Sequence, residues 1–298
     1  MSLAVSFFVA LVIEGALAGA IYALIALAFV LVYKSSGMIN FALGEWIMFG
    51  ALLAAGGYHS LGLGLGAAIL FAGAGMAALG LLFNALVIRR LAARPVISLI
   101  MVTIGLAAMM RGSVALIFPQ TPRGMALPVP PEPLLLHGIA IAPEKLLAAS
   151  VAAAAVAAVT WAYRHSRTGI VLRAIADDPQ AALAAGINVH RQFGLLWAAT
   201  GVIAVIAGVL WTFVAGGGFG MALIGLKIFP IVIIGGLNSL PGTIVAAMLI
   251  GISESLGAGY LDPQLGGGFG TVSSYLLLIG ILLARPYGLF GRPPAERI

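Results

Sequence analysis

Apolar residues in this chain fall into long runs, each broken by short clusters of glycine, proline, asparagine or basic residues. A helix needs about 20 apolar residues to cross the hydrocarbon core of a bilayer. On that ruler the pattern predicts helices near residues 5–32, 41–57, 61–88, 96–118, 144–163, 193–215, 223–236, 242–258 and 269–284. Nine runs, give or take one, mean an all-α polytopic membrane bundle of about 8–10 transmembrane helices. The pieces around 34–46 and 235–245 read as interrupted or re-entrant segments or as simple turns.

Composition excludes a soluble fold. Of 298 residues 62% are hydrophobic and 8% charged, against roughly 45–50% and about 25% in soluble domains. The glycines and prolines lie inside apolar runs, where neighbouring helices re-satisfy broken backbone hydrogen bonds. Gly62-x-Gly64-x-Gly66 and Gly73-x-Gly75 are therefore read as helix-contact positions. Cysteine is absent, which removes disulfides, thiolate metal sites and cysteine nucleophiles, and the four histidines have no ligand spacing, so no metal site is expected. Residues 1–20 have no basic n-region, Glu14 interrupts them and hydrophobicity runs on to Val32; a retained first span is expected, not a cleaved signal.

Charge then orients the spans. Lys34, Arg89, Arg90, Arg94, Arg164, Arg167, Arg173, Arg191, Arg285, Arg292 and Arg297 fall on one side, and Arg123 and Lys145 on the other. The side rich in basic residues is the cytoplasmic one, which puts the C-terminus inside and, with nine spans, the N-terminus outside. The chain reads as one transmembrane domain over 1–298, with a cytoplasmic loop at about 164–192 and an external proline-rich loop at about 119–143, stiff and extended around Pro128 to Pro133. The arginines are explained by topology, so nucleic acid is not an expected partner.

Two passages, Gly37-Met38-Ile39-Asn40-Phe41-Ala42-Leu43-Gly44 and Gly235-Gly236-Leu237-Asn238-Ser239-Leu240-Pro241-Gly242, share the pattern G-x-[IL]-N-x-x-x-G between apolar runs, a weak internal repeat. Interrupted helices at matching points of two halves line the pathway in many transporters. Asn40 and Asn238 have two readings here, a cap for the following helix or an amide on the path. In the cytoplasmic loop, Asp178 suits a helix N-cap, Pro179 the first helical position and Gly186 the left-handed residue past the end, which predicts a rod of roughly 10 Å.

That helix carries a resemblance. Gln180-Ala181-Ala182 with Gly186 is similar to the E-A-A-x-x-x-G coupling motif of ATP-binding-cassette importers. Arg173 to Asp178 with Pro179, Ala182 and Gly186, then Ile39 to Glu45, Ile234 to Gly242 and Leu283 to Gly291, resemble LivH-type branched-chain amino acid permeases across nearly the whole chain. Gln180 stands where an acidic residue is usual, and Leu43 where many relatives carry histidine. The resemblance implies a permease subunit forming the path for branched-chain or similar small amino acids; permeases of this kind also carry urea, amides or other small molecules. It implies two cytoplasmic ATPase partners holding ATP and magnesium, a second LivM-like permease or a copy of this chain, and a periplasmic substrate-binding protein, in the bacterial inner membrane. Arg173, Asp177, Asp178, Pro179, Ala182 and Gly186 would be the ATPase-coupling residues. No cofactor is expected in the chain itself, since it has no G-x-x-x-x-G-K-[ST] loop, and no catalytic residue is assigned. The clusters Gly216 to Gly218 and Gly266 to Gly268 read as external turns.

Charges inside apolar spans are costly and mark candidate pathway residues. With Asn40, Gly44, Glu45, Asn238 and Gly242, the candidates are Glu14 and Glu254, whose alternative is a hydrogen bond between helices. Lys227 and Arg111 are expected to snorkel toward the outer face. The competing function is an ion-coupled secondary transporter that uses Glu14 or Glu254 as its coupling carboxylate.

Overall fold

The computed structural model describes residues 3–91, 95–118, 125, 127, 129, 130, 132–136 and 138–291. Each apolar run becomes a helix. In chain order these are α1 (Leu3–Ser36), α2 (Leu43–Ser60), α3 (Leu65–Phe83), a π-turn (Asn84–Ile88) leading to α4 (Arg89–Leu91), α5 (Val96–Ile117) and α6 (Pro143–His165). Then follow α7 (Arg167–Asp177), α8 (Pro179–Ala184), α9 (Val189–Ala215), a 3-10 turn (Phe219–Leu223), α10 (Ile224–Gly235), α11 (Leu240–Tyr260), α12 (Asp262–Leu265) and α13 (Phe269–Ala284). Among the described residues six continuous helices are long and apolar enough to cross a membrane; α10 and α13 are apolar but shorter. The fold is an all-α polytopic bundle.

The proline-rich loop, expected to be stiff and extended around Pro128 to Pro133, is described only in part. Arg123 and residues 119–124, 126, 128, 131 and 137 lie outside the described residues, as do Arg94, Arg292 and Arg297. What is described there includes a small antiparallel hairpin, β1 (Leu134–Leu136) on β2 (Ile139–Ile141), with Leu135 opposite Ala140. Short apolar runs of Leu134–Leu136 and Ile139–Ile141 on either side of Gly138, whose φ is +83°, are a hairpin signal that the proline count masked.

Contacts divide the chain into two compact units. One comprises Met1–Val30, Leu127–Ala154 and Lys227–Ile298; the other comprises Leu31–Ala126 and Ala155–Leu226. In the second unit α2, α3 and α9 close on an aromatic core. Trp46 and Trp197 are fully buried, their rings 5.6 Å apart, with Phe83 4.8 Å from Trp197. Small residues bring these helices together: a Cβ on Gly80 would stand 2.5 Å from the Trp197 carbonyl oxygen, and one on Gly201 2.5 Å from that of Met76. Lipid tails give no hydrophobic drive between membrane helices, so such backbone approach supplies much of the packing.

In the first unit α1 packs on α11 in the same way, Gly15 against Ile252 and Gly19 against Gly251. Asp262 Oδ1 accepts from the Phe269 and Gly270 amides at 2.7 and 3.2 Å and so starts α13. The Gly216–Gly218 and Gly266–Gly268 clusters are turns at helix ends, with positive φ at Gly216, Gly218, Gly266 and Gly268. The contact role assigned to Gly62, Gly64, Gly66 and Gly73 is not met, because nothing within the chain lies within 4 Å of a Cβ added at any of them. Composition marked where small residues are, but only facing helices show which of them need to be small.

Gly201→Leu should cost about 1–3 kcal/mol or more through overpacking, lowering the unfolding temperature of the detergent-solubilised protein. Gly73→Ala should leave it unchanged or slightly raised.

Candidate functional site

The cytoplasmic-type loop folds as its local signals require. Asp178 Oδ1 accepts from the Gln180 and Ala181 amides at 2.9 and 3.0 Å, and Pro179 occupies the first position of α8, where a missing N–H costs nothing. At the far end Ile187 N–H reaches Ala182 O and Gly186 N–H reaches Leu183 O, both at 3.0 Å, the double bond pattern of a Schellman stop. It requires a left-handed residue, and Gly186 supplies φ +79°. Six residues make a rod of roughly 9 Å. Ala182 is buried, whereas Gln180, Ala181, Leu183, Ala184 and Ala185 face outward, with Leu183 57% exposed. Asp177 is the last residue of α7, and Arg173 on the same helix lies 5.9 Å from the ring of buried Tyr163. Asp177, Asp178, Pro179 and Gly186 are thus exposed along α8 and the end of α7, Arg173 is half-buried, and Ala182 faces inward. A short, doubly capped helix with a bare alanine face suits insertion into a cleft of another protein.

The two repeat passages both become sharp turns before a helix, built differently. In the second unit Asn40 Oδ1 accepts from Ala42 N–H at 3.0 Å, one turn before α2, so it shapes the entry without capping the helix. Thr103 on α5 holds the same turn, taking the Phe41 amide at 3.2 Å. Asn40 is buried and its Nδ2 has no hydrogen-bond partner among the described residues. Gly44 meets the 3-10 turn so closely that a Cβ there would overlap the Ala222 carbonyl oxygen. In the first unit α11 is capped by Ser239, whose Oγ takes the Gly242 amide at 3.1 Å; Asn238 is exposed beside it. The serine outcompetes the asparagine because it occupies the N-cap position. Gly236, at φ +89°, turns the chain against Gly291, and Leu289 N–H bonds Ile234 O at 2.7 Å, so the passages 234–242 and 283–291 meet.

The charged residues in the spans are paired. Among the described residues there are three ion pairs: Glu14 with Lys145 at 2.6 Å, Glu45 with Arg111 at 3.4 Å, and Glu254 with Lys227 at 3.1 Å. The last is the centre of a larger network in the first unit. Glu254 Oε2 also accepts from Tyr22 Oη at 2.7 Å, its Oε1 accepts from Ser274 Oγ at 2.7 Å, and Lys227 Nζ lies 3.4 Å from Tyr22 Oη. One carboxylate therefore ties α1, α10, α11 and α13 together.

Lys227, expected to snorkel, points instead to Glu254, since either charge left unpaired in the apolar interior would be costly. Arg111 is half-exposed yet bonds Glu45, and Lys145 sits in the first turn of α6. Tyr22 and Ser274 escaped the sequence reading. Tyr22 is a lone hydroxyl inside an apolar run and Ser274 one of several hydroxyls at 271–275, signals that gain meaning only with a partner in space. Asn40, Gly44 and Glu45 gather at one turn of the second unit, Asn238 and Gly242 at a turn of the first, and Glu14 and Glu254 stand in separate ion pairs.

Taken together, stacked membrane helices, broken helices at repeated passages and a capped helix offered from a loop define a polytopic transport subunit. Comparison with known proteins gives the family. The family model described as "Branched-chain amino acid transport system / permease component" matches residues 11–284, and the chain belongs to that family. It is 31% identical over 318 residues to the high-affinity branched-chain amino acid transport system permease protein LivH of Escherichia coli K12, covering 98% of each chain. It is 30% identical over 302 residues to permease protein BraD of the corresponding Pseudomonas aeruginosa system, covering 96% of each. A probable LivH of Methanocaldococcus jannaschii is 37% identical over 134 residues, 42% of this chain and 41% of its own.

Glu254→Gln and Lys227→Met should each lower stability, and the double variant should lose less than their sum. A thermal-unfolding double-mutant cycle should return a coupling of about 0.5–3 kcal/mol; additivity would show that the pair is not a unit.

Proposed function

We propose that this chain is the translocating permease of an ATP-driven importer for branched-chain or similar small amino acids, in a bacterial inner membrane with its C-terminus in the cytoplasm. The observation that carries the reading is the exposed helix α8, sealed at both ends by Asp178 and Gly186, in a chain that belongs to this permease family over nearly its full length. A permease of this kind is a mechanical part. ATP and magnesium act in two cytoplasmic ATPase subunits, which grip α8 and the adjoining Arg173 and Asp177; their movement rocks the spans between outward-open and inward-open states. A periplasmic binding protein supplies substrate, and a second LivM-like permease or a second copy of this chain completes the membrane part.

On this reading the path runs by the turn residues Asn40, Gly44, Glu45, Asn238 and Gly242, with Glu14 and Glu254 as its charged candidates. Buried Asn40 Nδ2, without a partner, is a donor available to a substrate carboxylate once the turn moves. The ion-coupled alternative is not favoured. It needs a carboxylate free to take and release a proton, whereas Glu14, Glu45 and Glu254 each have a basic partner.

Affinity purification of the tagged chain from its native membrane in mild detergent, followed by mass spectrometry, tests the reading. ATPase subunits should co-purify. Gly186→Trp should lose them at least tenfold, while Gly186→Asn, which tolerates the left-handed conformation, should keep them. Gradient-driven amino acid uptake by the chain alone would contradict the proposal.

A further inference from the structure

A groove of about 430 Å³ in the second unit has no part in transport as described above. Its wall on α9 is Leu195, Ala199, Val202 and Ile206, spaced by four, three and four residues and therefore on one helical face. That face extends roughly 16 Å at 1.5 Å per residue, about the depth of one leaflet of a hydrocarbon core some 30 Å thick. Val159 on α6 and Leu172 on α7 line it from the other side. An apolar slot of leaflet depth suits an acyl chain.

One end of the groove is different. Tyr163, Ser166 and Thr168 line it there, where α6 gives way to α7. Arg164 follows Tyr163 and Arg167 stands between Ser166 and Thr168; both are exposed and belong to none of the three ion pairs among the described residues. Lys34 and Arg173 lie 5.7 and 5.9 Å from the centre of the Tyr163 ring. None of the four lines the slot, but two lie against the Tyr163 ring that does and two are sequence neighbours of lining residues, so this end is bordered by positive charge, which suits a phosphate attached to a hydrocarbon chain.

We propose that this groove holds an anionic phospholipid, its acyl chain along the α9 face and its phosphate at Arg164 and Arg167. Leu172 lines the slot from α7, the helix that runs into Asp178 and α8, so the occupant touches the element that carries the coupling helix.

The test uses the full chain co-purified with its partner subunits, stripped of lipid and titrated in detergent with phosphatidylglycerol or phosphatidylcholine under native mass spectrometry. Wild type should retain phosphatidylglycerol in preference to phosphatidylcholine. The double variant R164Q/R167Q should weaken phosphatidylglycerol about 30-fold, at about fivefold per neutralised charge, and leave phosphatidylcholine unchanged. Ala199→Trp, which fills the slot and leaves both arginines in place, should weaken retention of phosphatidylglycerol as well. Equal retention of the two lipids, unchanged phosphatidylglycerol binding in either variant, or a partner-subunit peptide cross-linked at Ala199 would overturn the proposal.

Discussion

A membrane interior offers no partner to a charge or to a backbone amide, and that constraint governs this molecule. An isolated carboxylate or ammonium in hydrocarbon costs at least about 2.5–3.5 kcal/mol, so the chain keeps such groups only where another helix answers them. Glu254 shows the consequence. With Lys227, Tyr22 and Ser274 it joins α1, from the start of the chain, to three helices near its end. Removing any one member leaves another polar group stranded, which makes the network a device for fixing helix register as well as for holding charge.

The same constraint explains the turns. Where the chain breaks at Gly37–Gly44 and Gly235–Gly242, the freed amides are taken up by Asn40, Thr103, Ser239 and returning backbone. Glycine at positions 44 and 242 then lets neighbouring backbone come into contact. A turn so closely packed has few alternatives, and a transporter gains from that: a movement entering at one loop reaches the spans as a displacement instead of dissipating in slack. α8 is suited to receive such a movement, because its ends are sealed by its own residues and its outer face carries mostly alanine beside Gln180 and Leu183.

Much of this was legible in the sequence. Each of the nine apolar runs is a helix, with ends a few residues from those expected, because hydrocarbon thickness sets a length that composition alone reveals. α8 was legible to the residue, since Asp178, Pro179 and Gly186 act locally. Long-range matters were not. Lys227 read as a snorkelling lysine because nothing in its own run names Glu254. Ser239, not Asn238, caps α11, a difference of one position that propensity does not resolve. Glycines at 62–66 looked like contact residues, while those that meet backbone, at 80, 201, 251 and 257, have no distinguishing neighbours in sequence. Pairing is a property of the assembled helices, and a single chain read in order contains only its candidates.

The central claim is that α8 is the handle by which cytoplasmic ATPases work this permease. The chain has no native cysteine, so Gln180→Cys on the exposed face of α8 gives one reporter without background. Sealed vesicles of known orientation, containing the variant with and without its ATPase subunits, would be treated with a membrane-impermeant maleimide. Labelling is expected only from the cytoplasmic side and should be lost when the ATPases are present. Labelling from the periplasmic side, or labelling that the ATPases leave unchanged, would contradict that claim.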